Sequence, residues 1–596
     1  MYGPQTVYAD QLDAEKYRGE GETFKEATSR VAAKLADNDD HYHNVREITL
    51  DQRFLFGGRI RAAIGSAKNT TAYNCFVSGI MPDSFTERDN SHNSSIMDRA
   101  TEAAKTMRMG GGIGYGFSHL RPRGALIKKL MSHSSGPVSF MHIFNSVCLA
   151  TASAGGRRGA QMGVLRIDHP DIMEFIQIKQ DANTLTGFNI SVAVTDEFME
   201  CLQAERPFPL RHGGMVYREV DPVELWEAIM RSNWDWGEPG VIFMDQINRR
   251  NNLWYAETIE ATNPCSEQPL PPFGACLLGS YNLVKYLTWQ GYEERWAIDW
   301  EYLRRDIPPI VRAMDNVIEQ AKYPLPEQEL EAKSKRRMGI GVTGLANALE
   351  ACGWAYGSES FLEKEAQILH LIQRESYLTG IQLAREKGQF AMFDKERYLM
   401  GAHVKTLDDD IQEQIGMYGI RNSHYTSIAP TGTISQTADN VSSSIEPVYR
   451  WQQKRDVIML AGKQAVDQYD YGFARLRVRG KRAAFGEVTA KEHVDVLVRA
   501  QAFTDSAVSK TINTTGAMPW EDFKGVYLSA YEKGAKGCTT FNADGKRAGI
   551  FHPAPEPDDL PFPTQPGEAT VGYTSPPPPM GEACYFDPTT GRRTCE

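Results

Sequence analysis

The sequence predicts an α/β fold, on three observations. Short apolar runs rich in β-branched residues recur through the middle of the chain, as in NISVAV from Asn189, GVIF from Gly240 and MGIGV from Met338. Each run passes directly into a polar–apolar segment of helical type (TDEFM, MDQIN, TGLANAL), the alternation expected of strands feeding helices. The 596 residues, 41% apolar and 10% aromatic, are enough to bury a large core.

Taken in order, the chain divides into three. Residues 1–53 read as an N-terminal helical region whose charged runs (AEKYRGEGETFKEATSRVAAKLAD) are expected to form a solvated cap. Residues 54–550 carry the strand and helix alternation and are expected to form the main α/β unit. Residues 551–596 are rich in proline and glycine and end in two cysteines, which predicts an extended, partly polyproline-like tether with a cysteine-bearing tip. No internal repeat is visible.

Composition excludes several classes. A net charge of −11 disfavours a general nucleic-acid coat, although local amides and a few arginines can still hold phosphorylated ligands. The opening MYGPQTVYADQLDAEKY has neither a basic nor an apolar leader region, and no run approaches the ~18 apolar residues of a membrane span. A cytoplasmic protein that does not span a membrane is expected, with its nine cysteines as thiols. Neither the cysteine nor the histidine spacing fits a metal site, so none is expected.

The most informative segment is Asn263-Pro264-Cys265-Ser266-Glu267. Its amide, sulfur and carboxylate fall at i, i+2 and i+4, which in an extended loop turns all three to one face. A sulfur can hold a radical, a carboxylate can act as a base and an amide can orient a hydroxyl. A surface loop with a buried cysteine is the plainer alternative. Cys276 follows eleven residues after Cys265, and Cys75 lies far upstream in TAYNCFVSG. Two thiols meeting near a third could close a disulfide and deliver two electrons; taken singly, each also fits a small buried hydrophobe. Spacing does not decide whether they meet.

Three further runs invite ligands. In Pro430-Thr431-Gly432-Thr433-Ile434-Ser435, small and hydroxyl residues follow an apolar run and can open a helix, either as a phosphate cradle or as an ordinary cap. Gly155 to Met162 (GGRRGAQM) is a pliable loop whose Arg157, Arg158 and Gln161 can hydrogen-bond bases and phosphates, or it is a solvated basic turn. GGGIGYG fails as a dinucleotide fingerprint, since no strand–GxGxxG–helix unit surrounds it.

The segment NPCSEQPLPPFGACLLGSYNL resembles the active-site segment of ribonucleotide reductases, particularly the adenosylcobalamin-dependent class II. GGGIGYGFSHLRPRG, GGRRGAQMGVLRIDHPDI, GEPGVIFMDQIN, RRMGIGVTGL, SIAPTGTISQTADNVSSSIEPVY and GAKGCTTFNADGKRAG extend the likeness, in order, to about residue 550. The resemblance implies a ten-stranded α/β barrel of two five-stranded parallel halves with Cys265 on a loop through its centre. It implies that Cys265 carries a thiyl radical, that Asn263 and Glu267 assist it, and that Cys75 and Cys276 form the reducing pair and end as a disulfide. Residues Pro430 to Ser435 would hold the substrate diphosphate. Asp83 and Ser84 match the region that holds an effector nucleotide, and the loop with Arg157, Arg158 and Gln161 the one that relays effector identity to the substrate base. Cys584 and Cys595 would form the tail reductant. The implied partners are a ribonucleotide substrate (a diphosphate by family likeness), dNTP or ATP effectors, a thioredoxin-like reductant and a second copy in a homodimer. Class I chains receive their radical through an adjacent tyrosine pair; no Tyr-Tyr dipeptide occurs here, and the matching stretch reads Gly537-Cys538-Thr539-Thr540-Phe541. That favours adenosylcobalamin over a class I chain with a separate radical subunit.

Overall fold

The computed structural model describes residues 2–546 apart from 90, 128–129, 152–159, 182, 460–461 and 543, together with 560–563 and the short strands at 584–586 and 593–595. The fold is mixed α/β. The expected strands are present at Phe188–Val194, Gly240–Phe243 and Gly339–Thr343, and each leads into a helix, at Asp196–Gln203, Met244–Arg249 and Leu345–Ala351. Their side chains are buried almost throughout, which is why these strands read as continuous apolar runs and not as alternating ones.

The largest sheet has eight strands. Within it Cys75–Val77, Gly112–Gly116, Gln161–Arg166, Phe188–Val194 and Gly240–Phe243 lie side by side and parallel. Gly240–Phe243 then pairs antiparallel with Gly537–Asn542, which is parallel to Thr511–Thr514. At the opposite edge Ala275–Cys276 pairs antiparallel with Cys75–Val77. The chain continues from that strand into Leu278–Asn282, which belongs to a three-stranded sheet with Phe54–Phe56 and Gly339–Thr343. Isolated parallel bridges join Ile340 to Thr426 and Ile428 to Val508. Among the described residues neither sheet closes on itself, and no closed barrel is found.

The helices obey local rules. Pro222–Trp236 starts behind Asp221, whose side chain accepts the Val223 amide, has proline in its first turn, and stops at Gly237 with φ of 71°. No described helix is long and apolar enough to cross a membrane. The N-terminal region departs from the expected solvated cap. Its helices Val7–Tyr17, Phe24–Leu35 and Asp39–Leu50 bury Leu12, Val31, Leu35, Val45 and Ile48. The charged run carries an apolar residue every three or four positions, and Val31, Leu35, Val45 and Ile48 join the main core.

Candidate active site

The Asn263–Glu267 segment forms the tip of a small hairpin. Its stem pairs Ala261–Thr262 with Pro269–Leu270, and the tip closes through Asn263 N–H to the Gln268 carbonyl (3.1 Å) and Gln268 N–H to Asn263 Oδ1 (2.9 Å). The loop is therefore not extended as the i, i+2, i+4 spacing predicts. Ser266 turns left-handed with φ of 65°, and its amide donates to the Asn263 carbonyl (3.0 Å). The turn separates the three side chains by exposure: Asn263 and Glu267 are buried, whereas Cys265 is exposed.

Glycine makes room for this hairpin. Gly112, Gly114 and Gly116 occupy alternate positions of one strand and so share a face. A Cβ on Gly114 would lie 1.7 Å from the Thr262 carbonyl oxygen, and one on Gly112 3.2 Å from Pro264. From the other sheet, a Cβ on Gly339 would fall 2.5 Å from Gln268 Nε2. The GGGIGYG run is thus a strand over which the loop passes. Both sheets hold the loop: Asn189 Nδ2 donates to the Pro264 carbonyl (3.2 Å), while Ser427 Oγ (2.8 Å) and the Ala507 amide (3.0 Å) donate to the Glu267 carbonyl. Asn189 and Ser427 were missed as loop anchors in the sequence, although both lie in or beside runs already singled out there.

Strand register brings Cys75 and Cys276 directly opposite each other. Cross-strand partners have Cβ atoms ~4.5–5.5 Å apart, close to the spacing a disulfide needs. Burial pushes the Cys276 thiol well above its ordinary range, and the nearby Glu267, Cys75 and Cys265 push it the same way. Those couplings place all four groups in one neighbourhood. Burial likewise raises the Glu267 carboxyl to about 7, and the neighbouring Asn263 amide pulls it part of the way back. Asn263 Nδ2 and Glu267 Oε2 are buried close to each other, and neither has a hydrogen bond of good geometry among the described residues. Because the Gln268 amide already occupies Asn263 Oδ1, what Asn263 has left to offer is its NH₂. A buried donor and a buried acceptor held ready without partners are what a ligand with hydroxyl groups would satisfy.

Pro430 to Ser435 forms a turn into a short helix, Gly432–Thr437. Thr431 is left-handed with φ of 53°; its Oγ1 accepts the Ser444 amide (2.7 Å) and meets Thr343 Oγ1 at 3.0 Å. No side chain caps the helix start, Gly432 is exposed and Thr433 half-buried, while Ile434 packs into the core. Ser435 Oγ donates to the Gly432 carbonyl (3.1 Å).

The other expected positions are less gathered. Asp83 accepts from Arg121 Nε (2.7 Å) and from the Arg121 amide (3.1 Å). The Ser84 carbonyl accepts from the first amide of helix Ile96–Arg108 (2.8 Å). Gln161 opens its strand as a buried residue, with Oε1 taken by the Tyr115 hydroxyl (2.9 Å) and no partner for Nε2 among the described residues. Arg157 and Arg158 lie outside the described residues. At the tail, Cys584–Phe586 and Arg593–Cys595 pair antiparallel, with Cys584 opposite Cys595. Ahead of them, Leu560 and Phe562 pack on Val448, Trp451 and Phe473, and Arg477 and Arg479 donate to the Pro563 and Leu560 carbonyls. Among the described residues no group of three or more histidine, cysteine, aspartate or glutamate side chains could hold a metal ion.

A strand-borne thiol pair lies beneath a loop carrying a third thiol, an amide and a carboxylate, the groups that thiol-redox chemistry on a hydroxylated ligand requires. Residues 73–541 match the ribonucleotide reductase barrel domain, and the chain belongs to that family. It is 34% identical over 494 residues to the vitamin B12-dependent ribonucleoside-diphosphate reductase of Mycobacterium tuberculosis, covering 78% of this chain and 66% of that protein. Identity is also 34% over 487 residues to the enzyme of the same name from Thermoplasma acidophilum, covering 76% and 60%. The ribonucleoside-diphosphate reductase subunit alpha of Chlamydia pneumoniae is 24% identical over 484 residues, covering 71% and 45%. The match spans less than two thirds of the length of each of the first two relatives.

Proposed function

We propose that this chain reduces ribonucleoside diphosphates to 2′-deoxyribonucleoside diphosphates through a thiyl radical on Cys265, with adenosylcobalamin as the radical source and a dithiol as the reductant. The observation that carries the reading is the meeting of Cys75 and Cys276 in register beside Glu267 and Cys265. The names of the relatives from M. tuberculosis and T. acidophilum favour cobalamin over a separate radical subunit. When bound, adenosylcobalamin would supply the hydrogen-abstracting radical that converts the Cys265 thiol into a thiyl.

The chain's own residues do the rest. The Cys265 thiyl takes the 3′-hydrogen atom of the ribose. Glu267 accepts the 3′-hydroxyl proton, a role suited by a carboxyl poised near neutral pH. Asn263 Nδ2 orients the sugar hydroxyls. Cys276, held protonated by burial, and Cys75 supply two protons and two electrons between them. One proton leaves with the 2′-hydroxyl as water, the other ends as the new 2′-hydrogen, and the two sulfurs join as a disulfide. Cys265 returns its hydrogen to C3′ and is a thiyl again, while Glu267 gives its proton back to the 3′-oxygen. Burial of Asn263 and Glu267 keeps bulk solvent from the amide and the base.

Around this centre, Pro430 to Ser435 hold the diphosphate, with exposed Gly432 and half-buried Thr433 at the open side. Asp83, Ser84 and the loop with Arg157, Arg158 and Gln161 serve a dNTP or ATP effector. Cys584 and Cys595 reduce the spent disulfide and are recharged by a thioredoxin-like protein; their opposed register suits a pair that opens and closes. The active form is a cytoplasmic homodimer. Residues 1–53, 54–550 and 551–596 act as brace, catalytic barrel and tail. A barrel of two parallel five-strand halves is supported by the continuity of Ala275–Cys276 with Leu278–Asn282 and by the bridges at Thr426 and Ile428. The test is anaerobic turnover of a ribonucleoside diphosphate with adenosylcobalamin and dithiothreitol. Deoxyribonucleotide formation is expected; product only when a separate radical subunit replaces cobalamin would move the chain to class I.

A further inference from the structure

We infer that Tyr8 is a positioning residue for the diphosphate loop, an inference that rests on assigning Pro430 to Ser435 to the substrate diphosphate. The first 52 residues direct their polar groups onto the far end of that loop's helix. Tyr8 Oη donates to Gln436 Oε1 (2.7 Å), and both side chains are buried. The amides of Gln5 and Thr6 donate to the Asp439 carboxylate (each 2.9 Å at Oδ1). Gln52 Nε2 donates to the Thr437 carbonyl (2.8 Å).

The contact from Tyr8 reaches the ligand side of the loop through one intermediate. Gln436 Nε2 donates to the Gly432 carbonyl (2.9 Å). A carbonyl only accepts, so the amide nitrogen of Gln436 must face Gly432. Its oxygen is left for Tyr8, whose hydroxyl must therefore donate. In a trans peptide the C=O and the following N–H point in opposite directions. Holding the Gly432 carbonyl toward Gln436 thus aims the Thr433 amide away from it, outward beside a Gly432 where a Cβ would meet nothing within 4 Å. Without the Tyr8 hydroxyl, Gln436 loses the partner that fixes its amide plane, and the Gly432–Thr433 peptide is held less firmly, with the Ser435 hydroxyl as its remaining fixed side-chain donor.

The geometry around Asp439 works in the same direction. Asp439 and Asn440 are both left-handed, with φ of 60° and 61°, a conformation that the surroundings must impose on two consecutive non-glycine residues. The Asp439 carboxylate lies at the start of helix Val7–Tyr17, where two backbone amides meet it. The N-terminal helix therefore pins the chain just beyond the diphosphate loop, at Gln436 and at Asp439. Residues 2–17 on this account belong to the substrate site although none of them touches substrate.

The test compares Tyr8→Phe, Gln436→Leu and the double variant with Thr433→Pro, which removes the outward amide at a position near a helix start where proline is tolerated. Each full-length variant is assayed for KM and kcat with a ribonucleoside diphosphate and for binding of the corresponding ribonucleoside, which lacks phosphate. Tyr8→Phe keeps the buried ring and should raise the KM for the diphosphate roughly fivefold, the size of one neutral hydrogen bond. kcat should stay within about twofold, ribonucleoside affinity should not change, and Tyr8→Phe should cost nothing further in the Gln436→Leu background. An unchanged KM in Tyr8→Phe, an equal loss of diphosphate and ribonucleoside affinity, or a Tyr8→Phe cost that persists in full beside Gln436→Leu overturns the brace. If Thr433→Pro raises KM and Tyr8→Phe does not, the brace alone fails. If Thr433→Pro has no effect, the diphosphate assignment fails and the brace with it. Should Tyr8→Phe not fold, Asp439→Asn, which weakens the second anchor, replaces it with the same expected split between KM and kcat.

Discussion

Two cysteine pairs in this molecule share one local geometry and differ in everything around it. Cys75 faces Cys276, and Cys584 faces Cys595, each pair in register across antiparallel strands. The first pair sits at one edge of an eight-stranded sheet, with Cys276 fully buried and its thiol held protonated. The second lies on an isolated two-stranded hairpin near the end of the chain. Register alone makes a dithiol; what it can exchange electrons with is decided by burial and tether. On the proposed reading the buried pair serves a ligand held against it, and the pair near the chain's end serves a protein reductant.

That contrast is broken most severely by removing the tethered pair. Truncation after Pro563 keeps the contacts of Leu560 and Phe562 and deletes both tail cysteines. Thioredoxin-driven turnover should fall on the order of 10²-fold, the scale on which tethering raises effective concentration. Turnover driven by dithiothreitol, a small molecule able to diffuse in, should be retained. Equal loss with both reductants would mean that the tail supports the fold or the site and shuttles no electrons.

A second test addresses the cost of the buried centre itself. Glu267 has a carboxyl raised to about 7 by burial, against an ordinary value of 4.5. Its contribution to stability is fully present below pH 4.5 and is lost as the pH rises through about 7. Glu267→Gln does not pay to ionise, so above pH 7 it should be more stable than the parent by about 3 kcal/mol, with the gain vanishing below pH 4.5. The same variant should lose the base and with it turnover. In the parent, turnover should rise with pH through about 7 as the carboxyl deprotonates. Denaturant unfolding at pH 4.5 and pH 8 checks the first part, and a flat difference between them would show that Glu267 is not the buried ionisable group claimed.

Smaller effects probe how each pair is mounted. Gly114→Ala places a Cβ on the Thr262 carbonyl and should cost about 1–3 kcal/mol while displacing the loop that carries Cys265. Phe562→Ala removes a ring packed on Phe473, with centroids 4.8 Å apart, and should cost about 1 kcal/mol or less of local stability. Hydrogen exchange around Trp451 and Phe473 would register it. Protection that is unchanged there would mean that Leu560 to Pro563 is not an anchor for the tail.

The sequence was most legible where chemistry and chain order coincide. Asn263, Cys265 and Glu267 are near neighbours, and the strands at Phe188, Gly240 and Gly339 announce themselves because both faces are buried. It was less legible where tertiary contacts decide. The turn at Ser266, which buries Asn263 and Glu267 and exposes Cys265, depends on bonds closing the hairpin tip. Gly112, Gly114 and Gly116 fail as a dinucleotide fingerprint in the sequence, but only the Thr262 carbonyl pressing on their strand shows what the glycines are for. The N-terminal helices look solvated because their apolar residues are few, yet those few reach the core, and Tyr8 meets Gln436 across 428 positions of sequence. No spacing rule anticipates a contact of that range.

The central claim is a division of labour between one initiating thiol and two reducing thiols. Its most direct measurement is tritium release from 3′-labelled ribonucleoside diphosphate, with deoxyribonucleotide yield followed in parallel, for Cys265→Ser, Cys75→Ser and Cys276→Ser with adenosylcobalamin. Cys265→Ser should release no tritium and form no product, because a hydroxyl cannot replace the thiyl. Cys75→Ser and Cys276→Ser should each release tritium but yield no normal deoxyribonucleotide. Release of tritium by Cys265→Ser, or its complete loss in both of the other folded variants, would contradict the account.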